Sequence, residues 1–189
     1  MQNELEKHEY KHRILRIYLD ELSMNYETLV GDYAPKIATW HRRYCIDVDG
    51  REEFGDKSDF KEWAKENRVF YKHVFMMDHG LQYISTSPYS CPWDSGHVGF
   101  VYVTRDILNG WCGDNWKRIS KKRKASILDQ LTSHVKYVSA WMEGQVFGYE
   151  LEESIEEYEK VIDSCWGIVG CDFKDSLVKQ FLENGEVAL

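Results

Sequence analysis

The segment His97-Val-Gly-Phe-Val-Tyr-Val-Thr104 is apolar at both odd and even positions. An extended chain sends alternate side chains to opposite faces, so this run does not fit a sheet with one wet face. It reads as a central strand covered on both sides. Gly99 within it marks a close approach, with a Trp side chain as the candidate neighbour. A chain of 189 residues can build both covering layers, and a single domain over 1–189 is the expected organisation.

Other elements are read around that strand. Val69 to Met77, the break Asp78-His-Gly80 and Leu81 to Thr86 form a hairpin, with Gly80 free to take positive φ. Arg13 to Leu19 is a strand, and Ser58 is the expected cap of a short helix through Asn67. The clearest helix runs from about Ser120 to Met142, with Ile127, Leu131, Val135, Val138 and Met142 as its stripe and Gly144 as its stop. Gln145 to Leu151 and Tyr158 to Trp166 read as antiparallel strands. Asp172 caps a last helix whose inner face is Leu177, Val178, Phe181 and Leu182. Residues 1–10 read as a polar tail. Residues 20–57, with Gly31, Pro35, Gly50 and Gly55, read as a loop-rich insertion with a short helix over Lys36 to Tyr44. Hairpins without βαβ alternation predict an α+β fold. Its sheet is mostly antiparallel, of about five or six strands, with one long helix and two or three shorter ones.

The formal net charge of -8 argues against direct nucleic-acid binding, which needs a basic face. Five cysteines (45, 91, 112, 165 and 171) show no CxxC spacing. The first residues lack an apolar signal segment, and no run is long enough for a membrane span. Reduced thiols and a cytoplasmic, membrane-free setting are expected.

Chemistry-bearing residues concentrate in two places, Ser87 to Gly96 and Asp163-Ser-Cys-Trp-Gly167. One reading is a thiol site where the two clusters meet. Cys91 or Cys165 would be the nucleophile, His79 or His97 the base, and Asp94 or Asp163 the acid that orients it. The preferred reading is structural: the cysteines pack as small apolar groups, and Pro92 to Gly96 form a rigid turn with Trp93 folded inward. A third reading is a nucleotide or small-ligand module with Trp93 and Trp166 as stacking walls. His8 and His12 are four apart but lack further ligands, so neither a metal nor a cofactor is expected.

The basic run Lys117, Arg118, Lys121, Lys122, Arg123 and Lys124 stands at a helix N-terminus, where the macrodipole disfavours cations. The Glu-rich strip 150–159 is the natural intramolecular counterpart, and a solvated charged face is expected. Acidic and aromatic residues supply the expected partner-facing surfaces. These are Asp47, Asp49, Glu52, Glu53 and Asp56; Trp111 and Trp116; and Glu150, Glu152, Glu153, Glu156 and Glu157.

Five motifs occur in order: Trp40-His-Arg-Arg-Tyr44, Asp78-His-Gly80, Cys91-Pro-Trp-Asp-Ser-Gly96 with Gly99-Phe-Val-Tyr-Val103, Gly144-Gln-Val-Phe-Gly148 and Asp163-Ser-Cys-Trp-Gly167. Together they resemble a family of small, uncharacterised proteins encoded by bacteriophages and mobile elements. The resemblance brings no catalytic mechanism. It implies a phage accessory protein, a class that often inhibits bacterial defence systems. The expectation is therefore a non-catalytic, anti-CRISPR-like inhibitor in the cytoplasm of an infected host. Its partner would be a host protein or ribonucleoprotein complex.

Overall fold

The computed structural model describes residues 3–20, 25–112, 119–155 and 158–187. In chain order the elements begin β1 (Asn3–Tyr10), β2 (Arg13–Leu19), α1 (Tyr26–Val30), β3 (Lys36–Thr39), β4 (Val48–Asp49), α2 (Gly50–Phe54) and α3 (Lys57–Glu66). They continue β5 (Phe70–His79), β6 (Leu81–Ser85), β7 (Ser95–Val103), α4 (Arg105–Cys112), α5 (Lys121–Met142), β8 (Val146–Ile155), β9 (Tyr158–Val169) and α6 (Cys171–Asn184). The fold is α+β, as the hairpin-rich sequence predicts. Its strands divide between two sheets, in the orders β1-β2-β8-β9 and β4-β3-β7-β5-β6. All described pairings are antiparallel except β3 with β4.

Contacts group the chain into two compact units, a terminal unit of residues 1–24 with 140–189 and a central unit of residues 25–139. In the terminal unit, α6 buries Leu177 and Phe181 against Leu15, Ile17, Phe147, Tyr149, Leu151 and Ile168 of the sheet. Leu182 faces out, unlike the sequence expectation. Residues 3–10 form a strand rather than a tail. Their polarity is tolerated because the backbone ladder to β2 holds them, while Glu4 pairs with Arg16 at 2.8 Å and Glu6 pairs with Lys174.

In the central unit β7 lies between β3 and β5, buried on both faces from Val98 to Val103. One face carries Phe100 and Tyr102, covered by Phe60 and Ala64 of α3. On the other, Lys72 Nζ donates to Thr132 Oγ1 at 2.6 Å and the Ile84 N–H donates to Ser139 Oγ at 3.0 Å, which ties α5 to the sheet. A Cβ at Gly99 would run into the Ala38 carbonyl oxygen, so the close neighbour is the β3 backbone and not an indole. Residues 25–54 contain α1, β3, β4 and α2. Lys36 to Thr39 is a strand rather than a helix because Ile37 and Ala38 pair with Val101 and Phe100 of β7. α3 starts two residues earlier than a Ser58 cap implies. Asp56 accepts from the N–H groups of Ser58 and Asp59, and Asp59 completes a capping box. β6 pairs only with Phe75 to His79, so Phe70 to Val74 of β5 have β7 on one side and no strand on the other among the described residues. No helix among the described residues is long and apolar enough to cross a membrane.

Candidate functional site

The antiparallel register of the central sheet draws three motif loops to one end. β3 ends opposite the start of β7, with Thr39 facing Gly99 and the Trp40 N–H bonded to Val98 O at 2.8 Å. β5 ends there too, with Met77 facing Ser95 and the Asp78 N–H bonded to Asp94 O at 2.8 Å. Arg43 forms an ion pair with Asp78, and Gln82 Nε2 reaches both Asp78 Oδ1 at 3.1 Å and Tyr44 Oη at 3.2 Å. Tyr44 stacks on His41 at 4.8 Å and 8°. The Gln82 hydrogen bond and the Arg43 charge hold the Asp78 carboxyl below its ordinary range, while burial lowers His41. These side chains lock the loops to one another.

The Cys91–Ser95 turn is closed by its own polar groups. Ser95 Oγ donates to Cys91 O, and Cys91 Sγ donates to Asp94 Oδ2 at 3.5 Å. His79 Nδ1 lies 3.3 Å from the same Asp94 oxygen. The carboxylate therefore sits between thiol and imidazole. A thiol nucleophile needs the imidazole in the middle. Since the turn closes without the indole, Trp93 does not fold inward: it is 92% exposed.

Cys165 and Asp163 belong to the terminal unit, and neither unit contains both predicted clusters. Cys165 packs against the terminal core, and Asp163 accepts from Tyr149 Oη at 2.7 Å. Trp166 lies against Gly148 and stacks on Tyr18 at 5.5 Å and 29°.

His97 is not with Cys91 but in a cluster that sequence reasoning did not find. Lys57 Nζ donates to His97 O at 2.7 Å and lies 3.2 Å from His97 Nδ1. His97 Nε2 in turn lies 3.0 Å from His73 Nδ1. Burial, then the Lys57 charge, pushes His97 down to about 4; burial also lowers His73 and Lys57. His73 further lines a surface pocket of about 360 Å³ with Tyr71, Lys72, Phe75, Thr86 and Leu128. The available signal was two histidines inside otherwise apolar strands, but only the register of β5 on β7 shows that they meet.

The expected acidic surfaces are largely engaged within the fold. Asp47 accepts from the Ile37 N–H at 3.0 Å, and burial raises its carboxyl. Asp49 and Asp56 cap α2 and α3, while Glu52 and Glu53 are exposed. Trp111 Nε1 donates to Tyr33 O at 2.7 Å. Glu150 accepts from Tyr18 Oη at 3.0 Å, Glu152 and Glu159 pair with Arg16, and Glu153 pairs with His12. The partners of this strip thus lie in its own unit. Trp116, Lys117, Arg118, Glu156 and Glu157 fall outside the described residues. His8 pairs with Glu6 at 2.9 Å. Among the described residues, no three His, Cys, Asp or Glu side chains converge as metal ligands. No family model, curated protein or solved structure matches the chain.

Proposed function

We propose that this chain is a non-catalytic binding protein of the bacteriophage accessory type. It acts by stoichiometric contact with a host defence or nucleic-acid-processing complex, in the manner of an anti-CRISPR inhibitor. The observation that carries the binding reading is Trp93. A large apolar side chain stands 92% exposed on a turn already fixed by Cys91, Asp94 and Ser95. A turn already fixed loses little backbone entropy on association, and exposed aromatic residues of this kind dominate interface energetics. Exposed Leu81 and His79 on the adjoining hairpin extend the same surface. The placement of Asp94 between Cys91 and His79 favours binding over thiol catalysis. The phage setting rests on the motif resemblance.

The test is plaque formation on bacteria that carry an active RNA-guided defence and express the chain. The wild type should restore phage growth, and Trp93→Ala should abolish the effect while remaining folded. In vitro, inhibition should saturate near one chain per complex. Inhibition that persists at ratios far below one, or equal activity of Trp93→Ala, would overturn the reading.

A further inference from the structure

The Lys57–His97–His73 cluster is unusual for a chain of net charge -8, because the strongest charge influences on it among the described residues all come from cations. Lys57 feels Arg51 and Lys61; His97 feels Lys57, His73 and Lys61; His73 feels Lys61. Lys57 is also the first residue of α3, where the helix dipole repels a cation. The nearby acid Asp56 is occupied in capping that helix. A half-buried ammonium bonded to a carbonyl and a neutral imidazole has no carboxylate partner among the described residues. That is the arrangement of an anion site.

The hydrogen-bond order also assigns the protons. Lys57 donates to His97 Nδ1, so His97 carries its proton on Nε2 and donates to His73 Nδ1. His73 then holds its proton on Nε2, where a ligand can accept it. Lys61 stands beside this row, its ammonium 5.9 Å from the Phe100 ring centre. His73 is shared with the pocket of about 360 Å³, whose other walls include the rings of Tyr71 and Phe75. A pocket of that size with aromatic walls and a few polar groups suits one small planar ligand.

We propose that this face binds a nucleoside monophosphate, with its phosphate among Lys57, Lys61 and His73 and its base in the adjoining pocket against Tyr71 and Phe75. Two lysines and an imidazole N–H match a dianionic group better than a carboxylate. A single compact cluster matches one phosphate rather than a strand of them, which needs an extended basic track. The inference does not depend on the Trp93 surface.

Isothermal titration of the full chain at low salt with AMP, GMP, CMP and UMP tests it, with adenosine and inorganic phosphate as the two halves. At least one monophosphate should bind about tenfold or more tighter than either half. Lys61→Met, an exposed change that should not disturb folding, and Lys57→Met should each weaken it by about tenfold. Phe75→Leu should weaken the nucleotide and leave phosphate binding unchanged. Trp93→Ala should bind the nucleotide like the wild type. Thermal unfolding of each variant separates lost binding from lost fold, and Lys61→Met carries the test if Lys57→Met unfolds. The proposal is overturned if no monophosphate binds up to about 5 mM, if Lys61→Met binds undiminished, if phosphate alone binds as tightly, or if affinity climbs with oligonucleotide length.

Discussion

In the central unit the indole of Trp93 stands in solvent on a turn closed by Cys91, Asp94 and Ser95. In the terminal unit the indole of Trp166 lies flat over Gly148 and stacks on Tyr18. The two segments share Cys, Trp, Asp, Ser and Gly, yet one holds its Trp out and the other lays it down. The difference follows from backbone state. In a turn, short polar side chains can bond their own main chain and hold the shape without apolar help. In strand β9 the pleat fixes which face a side chain takes, and a glycine on the neighbouring strand leaves a slot for the ring. The glycines differ likewise: Gly99 admits backbone, whereas Gly148 admits a side chain that can move.

The largest effect expected is at Gly99. Gly99→Ala drives a methyl into the Ala38 carbonyl, which cannot retreat without breaking the β3–β7 ladder. A loss of about 3 kcal/mol or more is expected by urea unfolding. Gly148→Ala first meets the Trp166 ring, which is partly exposed and can swing away. About 1–2 kcal/mol should be lost, and Trp166→Ala in the same chain should recover part of it. Equal costs at the two glycines would break the contrast between rigid and yielding neighbours.

Acid should distinguish the units next. Burial holds His134 near 4 against an ordinary 6.5, and His97 is held equally low by burial and Lys57. Both imidazoles are neutral in the folded central unit, while the unfolded chain takes up their protons. Stability should therefore fall as pH drops from about 6.5 towards 4, by about 2 kcal/mol after discounting the more exposed His97. In the terminal unit the hydrogen bonds from Lys174 and His8 lower Glu6 from its ordinary 4.5. That contribution is present above 4.5 and lost below it. Amide exchange followed by mass spectrometry, corrected for intrinsic rates, should show protection falling first around residues 127–138 and later around 147–151. Simultaneous loss would contradict the assignment.

The smallest effect is at Trp93. Trp93→Ala should change stability by less than about 0.5 kcal/mol, because the indole packs on nothing that matters to the fold. It should also remove a component of the emission that acrylamide quenches readily, whereas Trp166→Ala should leave that component in place.

The strands and the long helix were legible because periodicity reports burial directly. β7 is apolar at both parities and central, and Gly80 and Gly144 take the positive φ that their turns need. What failed was polar structure. Glu4 and Glu6 read as a frayed tail, although a ladder and two ion pairs hold them in β1. Asp47, Asp49 and Asp56 read as a partner surface, although each accepts from a backbone N–H, Asp47 from Ile37 of β3 and the other two from the first turns of their helices. An acid that caps a helix and one that awaits a partner look identical in one dimension. The His73–His97 contact was hidden for a related reason: it depends on register between strands twenty-four residues apart, shifted by the irregularity at Val74/Phe75.

The half of β5 that β6 leaves uncovered has a further consequence. A strand edge with no partner strand among the described residues offers unspent main-chain groups to any extended segment, including another copy of the same chain. Here Lys72 occupies the middle of that stretch, tied to Thr132, with the exposed His73 beside it. A lysine anchored at such an edge guards against self-templating. A flank of the central sheet that no described strand covers is thus protected from strand-by-strand aggregation.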